Sequence, residues 1–398
     1  MHVSGNIFLF AECNIPPIKQ IAHSFANSLS LTCMPIGIQV EGKFVSLPAA
    51  QRDHLLELWS FTVSLFKTPL FPDKKLHLES VEAILRGENS TEPSSCRFFF
   101  DEFWRCVGAD DPDTLLLRFL VARKCNVAEA FRMLANCLVW RGSEFGVHSL
   151  MLTGESGIKR SLLQKGQVCF RGVDNENRLL VHIDVGLHSK NGQTPQEMNQ
   201  YVIYMIEVGR TLMPAGTETF TIVFDMSKFS FASIDMPGIY FVISCLSNYY
   251  PESLGCCLIV NAPLVFHGVF KVIKAWLDAG IVAKIRFIKQ KELGLYIPAD
   301  YLKDIQASCS FEYSEPEGPF DAASCAEREL ELVNERDLAV GRFLEQNEWL
   351  QETDGFDLGE ILIARQTEIQ NIRRIGRQIL EECRERHHWQ RVGFLAGE

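Results

Sequence analysis

The 398-residue sequence contains no run of 18 apolar residues, no Cys-x-x-Cys pair, no Gly-x-Ser-x-Gly or His-Glu-x-x-His motif, and no arginine before Arg52. Each absence excludes something. Without a long apolar run, no membrane-spanning helix is predicted. The thirteen cysteines are an odd number. Scattered through apolar contexts such as Cys137, Cys169 and Cys245, they suit free thiols in a reducing, cytoplasmic setting rather than a disulfide framework. The missing nucleophile and zinc motifs leave hydrolase chemistry without its apparatus. Gly154-Glu155-Ser156-Gly157-Ile158-Lys159 lacks both the spacing and the preceding strand of a phosphate loop. No catalytic residue, metal site or cofactor is expected: Asp111 and Asp113 read as helix caps, and Cys383, His387 and His388 as solvated groups on a charged helix. A segregated basic domain is also lacking, and the net charge of -11 argues against nucleic acid as a partner. The absence of early arginines disfavours a mitochondrial transit peptide, and Asn14-Ile15-Pro16-Pro17 breaks the first apolar run too soon for a signal peptide. Residues 1–45 therefore read as a poorly defined arm.

What is present is a chain with 47 % hydrophobic residues, enough for a substantial core. Residues 46–145 read as a helical domain. Ser46 and Pro48 open a helix carrying Leu55, Leu58, Trp59, Thr62 and Phe66 at helical spacing, and a polar linker follows at about 87–95. Asp110-Asp111-Pro112-Asp113-Thr114 suits a helix N-terminus, and Asn126 caps a further helix reaching Trp140-Arg141. From about 155 to 310 the pattern alternates. Val168–Gly172, Leu179–Gly186, Thr219–Phe224, Leu258–Val260 and Ile285–Ile288 read as strands. Thr194-Pro195-Gln196-Glu197 is a capping box opening one intervening helix, and Ile234–Asn248 is another. Helical crossovers of this length imply a mostly parallel sheet.

Within that region the stretch from Asn248 to Lys284 stands out. Leu264, Val265, Phe266, Val269, Phe270, Val272, Ile273, Trp276 and Leu277 go most of the way round one helix, relieved by Lys271 and Lys274. Such a helix is buried or lies against lipid, and it is too short to span a bilayer. Tyr249-Tyr250-Pro251-Glu252, Asn261-Ala262-Pro263, Trp276-Leu277-Asp278 and Ala283-Lys284-Ile285 together resemble the CRAL-TRIO lipid-binding domain of the yeast-type phosphatidylinositol transfer proteins. The string Leu115 to Val127, followed by Trp140-Arg141, resembles the small helical domain that precedes it in that family.

The resemblance implies an α/β fold in which a mostly parallel sheet and a gate helix, here Ala262 to Asp278, enclose an apolar cavity. It further implies a non-enzymatic carrier of phosphatidylinositol. Arg123 and Lys284 would meet the headgroup phosphate, and Glu252 the inositol hydroxyls. The cavity and gate would draw on Phe220, Ile222, Phe266, Val269, Phe270, Ile273, Trp276, Leu277 and Ile281. Thirty methylenes at about 0.8 kcal/mol each put the apolar matching required at on the order of 25 kcal/mol. Two departures bear on specificity. Ile281 stands where the family has a headgroup hydroxyl, and Phe220 and Ile222 stand where carriers of phosphatidylcholine have small hydroxyl residues. The expected second ligand is therefore a sterol or other apolar molecule. Transient membrane contact follows from the local lysines.

Residues 318–398 read as a charged helical extension, with Leu330, Leu332, Leu338, Phe343 and Leu350 on one side of a first helix and Leu362, Ile363, Ile369, Ile372, Ile375 and Leu380 on a second, reaching Trp389. A packed hairpin is the default. The alternative is a protein partner on these helices, in a lipid-occupancy sensor or scaffold.

Overall fold

The computed structural model describes residues 43–66, 97–306, 311–316, 322–352 and 358–394. The expected linker at 87–95, and the arm up to residue 42, lie outside the described residues. Four helices, α1 (Ala49–Phe66), α2 (Arg97–Val107), α3 (Pro112–Ala122) and α4 (Val127–Val139), bury Leu55, Trp59, Phe99, Phe103, Phe119 and Phe131 in one cluster. Local chemistry sets their starts. Asp111 accepts from the amides of Asp113 and Thr114 with Pro112 in the first turn, and Asn126 accepts from Glu129.

A five-stranded sheet follows in the order β1 (Val168–Val173), β2 (Leu179–Asp184), β3 (Phe220–Asp225), β4 (Leu254–Val260) and β5 (Ile285–Ile288). The β1/β2 hairpin is antiparallel and the other three pairings are parallel. Period-two alternation splits the strands between two faces. Leu180, Val223, Leu258 and Val260 pack beneath Leu293 and Ile297, while Val181, Ile222, Cys257 and Ile259 face a chamber on the other side. The neighbouring Cys256 and Cys257 thus point to opposite faces. Covering the chamber are α5 (Pro195–Thr211), which opens on the expected Thr194/Glu197 capping box, and α6 (Met236–Asn248), capped by Asp235. They are joined by α7 (Phe266–Lys274). A short helix α8 (Ala279–Ala283) leads into β5.

The C-terminal helices α9 (Ala322–Glu352) and α10 (Leu358–Glu382) form a hairpin whose apolar stripe joins the core of the first four helices. Leu332, Phe343 and Leu350 face inward as expected; Leu330 and Leu338, eight residues apart and so on one helical face, point to solvent. On α10 the same split separates buried Leu362 from exposed Ile363. The expected cap Asp113 does something else. Its carboxylate accepts both terminal nitrogens of Arg365, at 2.6 and 2.7 Å, and the Trp59 indole N–H at 2.8 Å. Arg365 also donates to Asn347 at 2.6 Å and lies between the Phe44 and Phe343 rings, 4.8 Å from each. At Gly376 a Cβ would stand 2.1 Å from the Gly108 carbonyl oxygen, so only glycine lets α10 approach the turn after α2 this closely.

Instead of running on to Trp389, α10 stops at Glu382, and a separate short helix, α11 (His388–Arg391), returns the chain to the sheet. There the Gly154–Gly157 turn holds a buried acceptor. Glu155 takes Arg391 at 2.6 Å, the His388 amide at 2.7 Å and the Tyr313 hydroxyl. His387 and His388 likewise have structural tasks, their Nδ1 atoms accepting from the amides of Gln390 and Ser314.

Candidate functional site

Between the sheet and helices α5, α6 and α7 lies a cavity of about 340 Å³, within the usual range for ligand pockets of about 300–1,000 Å³. Its walls are almost wholly apolar. Phe220 and Ile222 form part of the floor, and Phe266, Val269, Phe270, Ile273, Leu277 and Ile281 part of the roof. Trp276 is the expected cavity residue that does not line it, because its ring sits edge-to-face on Tyr240 with centroids 5.4 Å apart. The sequence reading missed the contributions of α5 and α6, such as Tyr201, Met205, Ile239 and Ile243. Their apolar spacing was visible, but not which way it faced.

The roof differs from the continuous, buried helix expected over Ala262 to Asp278. Helix proper spans only Phe266–Lys274, the chain turns at Ala275 to Leu277, and Asp278 starts α8 by accepting from the Ile281 amide at 2.8 Å. Phe266 and Ile273 face the cavity and are buried, whereas Leu264 is 88 % exposed and Val265 and Val272 also face outward. The entry to the roof is fixed. Asn261 adopts a positive φ of 56°, its side chain donates to Ser227 Oγ and accepts from the Gln290 amide, both at 3.1 Å, and its own amide donates to the Ile288 carbonyl.

Polar groups cluster at the two ends of the strands. At the start of β4 and β5, Lys284 Nζ lies 3.4 Å from Glu252 Oε2, both side chains partly exposed, with Ile281 and Ile285 on the cavity wall beside them. Arg123 does not join this pair. It closes α3, and its guanidinium donates to the Ala122 carbonyl at 3.3 Å. The arginine that reaches the sheet is Arg118, one turn and a half earlier, which donates to Ser253 Oγ at 3.0 Å and to the Glu218 carbonyl. Spacing alone could not separate the two, since both lie on the same predicted helix.

The Tyr249-Tyr250-Pro251-Glu252 turn is held by the helical region. Trp140 stacks on Tyr249 with centroids 3.9 Å apart, and Tyr250 donates to Glu207 Oε1 at 2.6 Å. Arg141 meets the same oxygen at 2.8 Å and Arg210 meets Oε2 at 3.3 Å. Glu252 itself has a φ of 54°, so the turn places its carboxylate toward Lys284 at some backbone cost. Burial would push the Glu207 carboxyl up, yet the charges of Arg141 and Arg210 outweigh it and hold the group at about 2. Because the folded value lies below the unfolded one, this stabilisation is complete above pH about 4.3 and is lost as pH falls toward 2, about 3 kcal/mol in all. We expect urea midpoints of the parent protein to fall more steeply over that window than those of Glu207→Gln. Equal slopes would assign the acid sensitivity to other carboxylates.

A mostly parallel sheet with an apolar chamber beneath a short amphipathic roof defines an α/β domain built to enclose an apolar ligand. The chain belongs to the CRAL-TRIO family: the CRAL/TRIO domain matches residues 163–305 and the CRAL/TRIO N-terminal domain residues 90–136. A CRAL-TRIO domain-containing protein of Schizosaccharomyces pombe is 35 % identical over 250 residues, 61 % of this chain and 55 % of its own length. Phosphatidylinositol transfer protein CSR1 of Eremothecium gossypii is 33 % identical over 297 residues, 71 % and 66 % of the two chains. The Sec14 cytosolic factor of Schizosaccharomyces pombe is 31 % identical over 210 residues, 48 % of this chain and 72 % of its own. The chain thus spans less than two thirds of the first two relatives. Among the described residues no helix is long and apolar enough to cross a membrane, and no group of three or more potential ligands could hold a metal ion.

Proposed function

We propose that the protein is a non-enzymatic, cytoplasmic carrier that takes phosphatidylinositol from one membrane and presents or deposits it at another. The observation that carries this reading is the apolar chamber, roofed by a segment that turns Leu264, Val265 and Val272 outward among its lysines. Phe231 and Tyr240 are exposed as well, Phe231 beside Phe229, which packs on Phe266, and Tyr240 on Trp276, and Lys271 and Lys274 stand in the last turn of α7. A patch of this kind favours transient contact with a bilayer, and the lysines favour anionic headgroups. The names of the relatives support the choice of lipid. Lys284 would meet the phosphate, and Glu252 would hold the lysine and accept from inositol hydroxyls.

Transfer between vesicles tests the assignment. Removing one charged hydrogen-bonding partner costs about 1.5–3 kcal/mol, so Lys284→Ala should lower phosphatidylinositol transfer by roughly tenfold or more. Parent-like transfer by that variant would remove Lys284 from the headgroup site. Phe220 and Ile222 offer choline phosphate no partner on the floor, so phosphatidylcholine should move much more slowly than phosphatidylinositol; equal rates would contradict this part of the reading.

A further inference from the structure

A second cleft, of about 940 Å³, lies on the side of α5 turned away from the chamber. Tyr201 and Met205 line the chamber, whereas Glu207, Arg210 and Thr211 line the cleft. Its other walls come largely from α2, α9 and α10, so the helical region, the lipid domain and the C-terminal hairpin all meet around it. Among the described residues eight arginines and no lysine line the cleft, against six carboxylates, in a chain whose net charge is -11. Five of those carboxylates already hold an arginine of the cleft, as Glu329 holds both terminal nitrogens of Arg384 at 2.7 and 2.8 Å. Three arginines remain against Glu381. Arg373 donates to the Ala109 carbonyl at 3.4 Å, Arg377 one turn further along α10 makes no hydrogen bond or ion pair among the described residues, and buried Arg336 shares Asp337 with Arg97.

This surplus is felt inside the cleft. Burial and the charges of Arg105, Arg384 and Arg336 together push the His148 imidazole down to about 4, against the pull of Glu329. Burial also lowers the proton affinity of Arg336, and Asp337 does not fully offset it. A buried cation short of counter-charge is costly, and a bound anion relieves that cost. Planar guanidinium forks, unlike ammonium groups, match phosphate oxygens two at a time. We propose that the cleft binds a small anion carrying several phosphate groups, which Arg373 and Arg377 grip directly and which the charges of Arg105, Arg336 and Arg384 attract. A neutral ligand leaves the surplus uncompensated. A lone phosphate fills little of a space at the top of the usual range for small-molecule sites, about 300–1,000 Å³. Such chemistry has two sources, a soluble polyphosphate and the headgroup of a polyphosphorylated lipid. Among the described residues the cleft and the chamber have no lining residue in common, so this site does not depend on the carrier reading.

Calorimetric titration of the purified full-length chain with inositol hexakisphosphate, at fixed ionic strength, tests the site. Saturable binding is expected. Arg373→Gln and Arg377→Gln should each weaken it roughly tenfold or more through loss of a charged hydrogen-bonding partner. Neither change strands a carboxylate, so both variants should keep the parental urea midpoint; if Arg373→Gln fails to fold, Arg377→Gln, at an exposed position, decides. Flotation with vesicles containing phosphatidylinositol bisphosphate separates the two sources. Flotation that falls in Arg377→Gln assigns a lipid headgroup, and flotation equal to the parent's beside weakened hexakisphosphate binding assigns a soluble anion; both support the site. No saturable binding by the parent chain, equal affinity of the parent and both variants, or full displacement by sulfate at the same charge concentration would overturn the proposal.

Discussion

Arg365→Ala should destabilise the folded chain by about 3–5 kcal/mol, the cost of stranding a fully buried carboxylate without its cation. Asp113 has no exposed side-chain surface and Arg365 only 2 %. The variant also loses the bond to Asn347 and the two ring contacts that flank the guanidinium. Urea unfolding would show the effect as a lowered midpoint. The double replacement Asp113→Leu with Arg365→Met should recover much of the loss, since a packed apolar pair removes both desolvation costs together. If Arg365→Ala cost under 1 kcal/mol, or if the double variant were worse than the single, the pair would not be what fastens α10 to α3.

Filling the chamber should abolish ligand uptake while sparing the fold. Val181 on β2 and Ile222 on β3 are register partners on the cavity face. Val181→Phe with Ile222→Phe puts two adjacent rings into space that the parent protein leaves open. Overpacking of this kind costs about 1–3 kcal/mol where no void exists and less where one does. Excluding about 100 Å² of lipid surface at about 25 cal/mol per Å² weakens binding by more than tenfold. Mass spectrometry of co-purifying lipid provides the measurement. A variant that folds and still carries the parental amount of lipid would place the ligand elsewhere.

How far the sequence could be read followed the range of the interactions. Asp111, Asn126 and the Thr194/Glu197 box act within three residues, and each performs the capping expected of it. Strand positions were legible because β-branched and apolar residues recur with period two, and the Glu252–Lys284 pairing followed from the family resemblance. What was hidden lies across the chain. Asp113 looked like a cap because its partner, Arg365, is 252 residues away. Arg123 and Arg118 occupy one helix, and the choice between them depends on where β4 begins. The roof read as buried because its residues are apolar all round. In the folded chain only one side has a cavity to face, and the other meets the surroundings.

The fastening of the roof is unequal at its two ends. Asn261 ties the first end through hydrogen bonds from its side-chain and backbone amides, while the second is held by apolar packing of Trp276 and Leu277, including the Trp276 ring on Tyr240, a contact of about 0.5–1.5 kcal/mol beyond area burial. On the carrier reading, a cover pinned this way swings widest at the Ala275 to Leu277 turn, because Lys284 beyond it is tied to β4 by the Cys257 amide at 3.0 Å. Fatty chains then slide in ahead of the sugar phosphate, and the headgroup is the last part to dock and the first to be offered back.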